Sequence, residues 1–550
     1  MNWVLRIFVV LLLLVLFSGG INAQSSDWKI KKTAWTDADE KEYSEFVSLM
    51  GQAVEKRECN SFQSCLQHKN NPYRGSDSAQ LSVFADCAKL SYVMRGYFAW
   101  KKGLPFGVSN GIAMRNVPGN SGDIRYSNYG NQVTSRLDFL PRANGSGWKF
   151  ASGVNAINSV IPDSVFSANF RVYFEEIDDD LLFADFYPVE ISREAITPGT
   201  NIYDPNGHVA IIYKVTDDGK VYFIDAHPDN SLTSGLFGTK FERSRPEHGA
   251  GFKRFRPLHL EGTQYNAGLG SYVGGVIKPS KDKNLPLHSL EQFFGTNLNF
   301  QDWKKGIFQA SGVTYPFYDY VRVKLSKGNL KLDPQSEIKS LAEDICQTVQ
   351  DRAAAVETSL KSGIQNKSHP DRLPANIYGT SGDWEEYSSP SRDARLKTSF
   401  KELRDTAENL VNLFNQRDPR VVYNGSNIKQ EMLKSYVAVV NRCQIQYTKS
   451  NGQIQKLTLE QVRQRLFELS FDPYHCVELR WGATTADEVS SCQDDGTKRE
   501  WFKSEQWLRN QIERKYDARM DYSLGELTSP KPSAGEATAP DIDIVKYLNQ

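Results

Sequence analysis

"FADCAKLSYVMRGYFAWKKGLPF", residues 84–106, is the stretch from which the fold can be read. Leu90, Val93, Met94, Tyr97 and Phe98 recur at intervals of three and four, which is one apolar face of an α-helix. Gly103 and Pro105 stop that helix. Asp86 is a residue type that caps helices, so Cys87 falls in the first turn. Unpaired backbone N–H groups and the helix dipole favour an anion there. A thiolate at Cys87 is therefore expected to have a lowered pKa and to act as a nucleophile.

The other cysteines sharpen this reading. The chain has 550 residues and begins "MNWVLRIFVVLLLLVLFSGGINAQ". Arg6, an apolar run from Ile7 to Phe17, and a break at Gly19-Gly20 before Ile21-Asn22-Ala23 read as a signal peptide over residues 1–23. Export exposes the 7 cysteines to oxidation. An odd count leaves at least one unpaired. Six cysteines allow 15 pairings, for which proximity is only a guide: Cys59–Cys65 and Cys476–Cys492 are close in sequence, Cys346–Cys443 would join two helical stretches, and that pairing leaves Cys87 free. Cys59, Cys65 and His68 also look like the start of a metal site, but no second cluster follows at zinc spacing. No metal or organic cofactor is implied.

A thiol nucleophile needs a base, and 8 histidines are available. His208 opens "GHVAIIYKV", a β-type run. "TDDGK" follows as a turn and "VYFIDAH" as a second strand, which together make a hairpin. Register decides the rest. If Val215 pairs with Lys220, His208 opposes His227 and Asp225 lies diagonally on the same face. Asp225 is then within side-chain reach to orient the imidazole. If Thr216 pairs with Lys220, Asp225 turns to the other face. His227 is the alternative third residue.

Two blocks carry a family resemblance. "ITPGTNIYDPNGHVAIIYKV", 196–215, resembles the Pro-Gly-Asp-Leu-Val…Gly-His-Val-Gly-Ile-Tyr block of NlpC-type cell-wall peptidases. "DCAKLSYVMRGYFAWKKGLPF", 86–106, resembles that family's Asp-Cys-Ser-Gly-Leu-Val…Gly…Leu-Pro block, with Ala88-Lys89 in place of Ser-Gly. The order Cys, His, Asp and the run "DAHP" at 225–228 also resemble transglutaminase-like proteases. The resemblance implies an α+β, papain-like core, in which a Cys-bearing helix packs on an antiparallel sheet. It implies Cys87 as nucleophile, His208 as base and Asp225 as third residue. Gln80 takes the place where papain-like enzymes put an oxyanion donor. The implied substrate is a peptide or peptidoglycan stem peptide. Acyl transfer by the same triad and a catalytically inactive binding scaffold are the other two readings.

The resemblance covers residues 81–262. Around it the sequence predicts an N-terminal extension over 24–80, a Gly/Pro/Lys-rich connector over 263–335, a helical domain over 336–525 and a disordered tail over 526–550. Ile338, Leu341, Ile345 and Val349 share one helical face, as do Leu396, Phe400, Leu403, Ala407 and Leu410. The acidic run Glu175 to Asp180 lacks calcium-loop spacing and reads as a solvated turn. Lys+Arg and Asp+Glu both number 66, so no basic excess points to nucleic acid. Past residue 23 no run is long and apolar enough for stable membrane insertion. A secreted or periplasmic location is expected.

Overall fold

The Cys87 helix forms where its apolar spacing predicts. The computed structural model describes residues 26–550 except 175–180, 376–381, 388, 513–518 and 530–534. The expected signal peptide and the acidic run therefore lie outside the described residues. Helix α1 covers Asp37–Glu55 and helix α2 covers Cys87–Lys102. Asp86 caps α2, accepting hydrogen bonds from the amides of Ala88 and Lys89 at 3.1 and 2.9 Å. Gly103 ends it in the left-handed region at φ 67°. Leu90, Val93, Met94, Tyr97 and Phe98 are fully buried. Burying each contributes about 1.5–3 kcal/mol.

That face packs on a six-stranded antiparallel sheet. Its strands are β1 (Phe186–Pro188), β2 (Asn201–Asp204), β3 (His208–Val215), β4 (Val221–Ala226), β5 (Leu232–Leu236) and β6 (Gly251–Phe255), in the order β1-β6-β2-β3-β4-β5. One face presents Tyr203, Val209, Ile211, Tyr213 and Ile224 to α1 and α2. The other presents Ile202, Ala210, Ile212, Phe223 and Phe252.

Residues 24–80 are not an appendage. Trp28, Ile30, Phe46, Val47 and Met50 complete the core around α2. Arg95 is buried there, stacked 3.3 Å from the Trp35 ring centroid and bonded to Glu40 at 3.0 Å. Nor is 263–335 a plain connector. Phe308, Tyr320, Val321 and Leu325 cover the second sheet face. The physical reason is visible in β3, whose unbroken apolar run leaves no face for solvent, so a second layer must come from somewhere.

The C-terminal region is helical around α3 (Pro334–Lys361), α4 (Pro390–Asn415) and α5 (Ile428–Arg442). The Arg352–Asp393 ion pair is buried between α3 and α4 at 2.6 Å. Helix α3 lies along the edge strand β5. Asp344 accepts from the Leu236 amide at 2.6 Å and from Lys240 at 2.8 Å, which closes an edge that would otherwise be open to pairing. The expected disordered tail needs correction: helix α6 (Ile544–Asn549) buries Ile544 and Leu548 in the helical core. Its apolar residues follow the Pro/Ala/Ser-rich stretch and escape a reading by composition alone.

Cys59–Cys65, Cys346–Cys443 and Cys476–Cys492 are at bonding distance, and Cys87 is free. Among the described residues no helix is long and apolar enough to cross a membrane.

Candidate active site

The hairpin places His208 by way of a bulge. Near the turn Val215 pairs with Val221, and the Thr216 amide donates to the Lys220 carbonyl at 2.9 Å. Continued down the ladder, that register would turn Asp225 away from His208. Between Ile212 and Lys214 the register shifts, leaving Tyr213 as the extra residue. Ile212 then pairs with Phe223 and Ile211 with Ile224. The bulge returns Asp225 and His227 to the face of His208.

On that face, His208 Nε2 lies 2.7 Å from Asp225 Oδ2. The Thr233 hydroxyl donates to Asp225 Oδ1, and His227 Nε2 lies 2.9 Å from Thr233 Oγ1. Since Thr233 spends its proton on Asp225, it accepts from His227. The chain of donors runs His227 to Thr233 to Asp225, and separately His208 to Asp225. This fixes the His208 tautomer with hydrogen on Nε2 and a lone pair on Nδ1, the state required of a base. Burial, reinforced by the charge of Arg395, holds the His208 imidazole below its ordinary pKa. Burial works the other way on Asp225, but the bond from His208 and the nearby Arg395 charge prevail and keep the carboxylate ionised. His227 itself is held well below its ordinary value by burial and by Arg392.

Cys87 stands at the end of this sheet. Its Sγ is 4.0 Å from the Gly207 carbonyl oxygen, and the Val209 amide bonds to it, so the thiol touches the backbone on both sides of His208. Gly207 sits at φ 91°, and a Cβ there would come within 3.0 Å of the Tyr126 ring. The loop 227–231 holds the approach to the helix, with Asn230 Oδ1 accepting from the Ala85 amide at 3.0 Å.

Two expectations need correction. The thiol pKa is not lowered. Burial, then the Asp86 and Asp225 charges, push it up to about 12. Burial is the largest cause, and at the helix start the Asp86 carboxylate, which accepts from the Ala88 and Lys89 amides, adds a like charge beside the thiol. Gln80 is exposed and turns its backbone carbonyl to Asn158; among the described residues no hydrogen bond links it to Cys87. Nor does a hydrogen bond join Cys87 Sγ to the His208 ring. Helix α2 packs on the Val209 face, whereas the imidazole lies on the opposite parity, 6.4 Å from the Phe241 ring by centroids.

Three neighbours went unseen in the sequence. Thr233 pairs with Asp225 across β4 and β5. Asp204 pairs with His208 across β2 and β3, and burial pushes its carboxyl up to about 7. Arg395, from α4, lines both the cavity that holds Asp225 and His227 and the one that holds Asp204 and Asn206. Among the described residues its guanidinium makes no hydrogen bond or ion pair, whereas Arg392 is tied to Asp229 at 3.2 Å. The "YDPNGH" turn before the strand was a usable signal for Asp204. Nothing local signalled Arg395, which arrives from 187 residues beyond His208 (395 − 208).

Comparison of the chain with protein-family models, with curated proteins and with solved structures finds no match.

Proposed function

We propose that the chain is an exported cysteine hydrolase of papain-like type, resembling NlpC-type peptidases, that cleaves amide bonds in peptides. The observation that carries this reading is the His208–Asp225 pair at 2.7 Å, with the free thiol of Cys87 against the backbone next to His208. A neutral imidazole with an ionised carboxylate behind it is a general base in its working state. The thiol is protonated at rest, so attack is coupled to proton transfer rather than started from a stored thiolate. Cys87 Sγ forms a bond to the amide carbonyl carbon as its proton passes to His208 Nδ1. The imidazolium, stabilised by Asp225, protonates the leaving amine, and water then cleaves the thioester. This requires the His208 ring, which rests on the sheet face away from helix α2, to reach Sγ when substrate binds. The unpaired Arg395 charge beside the site supports a substrate bearing a carboxylate, as cell-wall stem peptides do. Three disulfides support an exported protein.

The raised thiol pKa and the unclosed Cys87–His208 contact favour a second reading, a binding scaffold on the same fold. One experiment separates the two: incubate stem peptides with the wild type and with Cys87→Ser. Hydrolysis by the wild type alone supports the hydrolase, and binding without cleavage by either supports the scaffold. Incorporation of a labelled amine in place of water would assign acyl transfer.

A further inference from the structure

The helical half holds a second cluster of ionisable groups, apart from the Cys87 site and independent of the hydrolase reading. It gathers His369, Asp472, His475, Asp494 and Glu505. The side chains of Asp472, His475 and Glu505 are fully buried, and that of His369 is 1% exposed. His369, Asp472 and Glu505 offer ligand atoms within 4.8 Å of one another. His475 Nε2 lies 3.5 Å from Asp472 Oδ2 and 3.6 Å from Glu505 Oε2.

The hydrogen bonds around the cluster orient its two rings. His369 Nδ1 is 2.6 Å from the Pro370 carbonyl oxygen, and His475 Nδ1 is 3.1 Å from Asp494 Oδ2. Both partners only accept, so each Nδ1 donates outward and each ring directs its Nε2 inward. There His369 Nε2 donates to Asp472 Oδ2 at 2.7 Å, so a metal bound at that nitrogen displaces a proton. His475 Nε2 and both carboxylate oxygens of Glu505 have no hydrogen-bond partner. Buried carboxylate oxygens without hydrogen bonds are costly, and a cation bound among Asp472, Glu505 and the two Nε2 atoms would relieve that cost. Arg509 is the one guanidinium in contact, 3.8 Å from Glu505, against three carboxylates.

We infer that His369, Asp472, His475 and Glu505 bind a divalent transition-metal ion of the zinc type. Ligands about 2.0–2.2 Å from a tetrahedral Zn²⁺ lie roughly 3.3–3.6 Å apart, the spacing His475 already keeps from both carboxylates. His369 and Asp472 open by under about 1 Å when a metal replaces their hydrogen bond. Two imidazoles with two carboxylates suit zinc rather than the all-oxygen preference of calcium or magnesium. The outer shell matches as well: each ligating ring donates its other N–H to a carboxylate or a carbonyl. The Cys476–Cys492 disulfide and the bond from the Cys476 amide to Asp494 at 2.9 Å hold the His475 turn in place. Trp501 stacks on His369 at 4.1 Å. With four protein ligands and a closed shell, the site is structural.

The test uses the full mature, tag-free chain. It is stripped with a chelator and titrated with Zn²⁺, then separately with Co²⁺ as a spectroscopic probe. The inference predicts about one Zn²⁺ per chain, tetrahedral visible bands with Co²⁺, and a melting temperature that falls on stripping and recovers with Zn²⁺. Glu505→Gln and His475→Gln should lose stoichiometric binding. Asp494→Asn, which leaves all four ligands in place, should weaken it about 10–100-fold and guards against variants that do not fold. Less than 0.1 Zn²⁺ per chain in the wild type would overturn the inference, and so would binding that survives all three substitutions.

Discussion

Replacing Asp225 probes the arrangement at its centre. The carboxylate is 3% exposed and accepts from two side chains, His208 and Thr233. A hydrogen bond to a charged group is worth about 1.5–3 kcal/mol, so Asp225→Ala forfeits roughly 3–6 kcal/mol of bonding and strands two buried donors. Relief of the buried charge offsets part of this, leaving a net loss of about 2–4 kcal/mol. Asp225→Asn is milder. Its amide oxygen can accept from His208, but its NH2 then faces Thr233, whose hydroxyl already accepts from His227. One hydrogen is left without a partner, at about 1–2 kcal/mol. The asparagine also removes the charge that stabilises imidazolium in the transition state, which at 1.36 kcal/mol per decade lowers kcat about 10–100-fold. His208→Ala should cost more than Asp225→Asn, because the base itself is lost. Urea unfolding gives the stability differences, and hydrolysis of stem peptides gives the rates. An Asp225→Ala protein within about 0.5 kcal/mol of wild type and equally active would refute the network as described.

Other consequences follow from the same coordinates. Mass mapping of unreduced, alkylated native protein should place the label on Cys87 alone; a label on any other cysteine would contradict the pairing. Opening Cys346–Cys443 by replacing both with Ser should cost about 4–5 kcal/mol in the chain-entropy view, given a separation of 97 residues, and an unchanged urea midpoint would speak against it. His208 and His227 are held below the ordinary imidazole pKa, so unfolding takes up protons below about pH 6.5. Their contribution to stability is complete above that pH and is lost as the pH falls toward the folded-state values. His227→Gln should therefore show a smaller drop in melting temperature between pH 7 and 5 than wild type; an equal drop would count against this. Arg395→Ala should fold normally and raise KM about tenfold for peptides with a free carboxylate but not for their amides. Equal effects on both would remove Arg395 from substrate recognition.

The sequence made the Cys87 helix legible because its start, stop and apolar stripe are all local. The same holds for the β3–β4 hairpin and for Cys59–Cys65 and Cys476–Cys492, whose partners are close in the chain, whereas Cys346–Cys443, 97 residues apart, was only the pair left over. The register was not legible. It turns on the extra residue at Tyr213, and an apolar run of Ile, Ile and Tyr carries no local mark of a bulge. The lowered thiol pKa failed because tertiary packing buries the thiol and the capping Asp86 sets a like charge beside it. Long-range partners were out of reach for a similar reason. Arg395, Thr233 and the His369–Glu505 cluster come together only through tertiary packing. Phe308, Tyr320 and Val321 were hidden because their stretch reads as Gly/Pro-rich linker, although the two-sided apolar β3 already required a second cover.

The central claim is that Cys87 attacks an amide carbonyl with His208 as its base. The most direct measurement is intact-protein mass spectrometry during turnover of a stem peptide, run on wild type, Cys87→Ser and His208→Ala. The account predicts an acyl-enzyme thioester mapped to Cys87 in wild type, with amine released. It predicts no adduct and no measurable release from Cys87→Ser, and release slowed by orders of magnitude in His208→Ala, with both variants folded. Undiminished amine release from folded Cys87→Ser would contradict it.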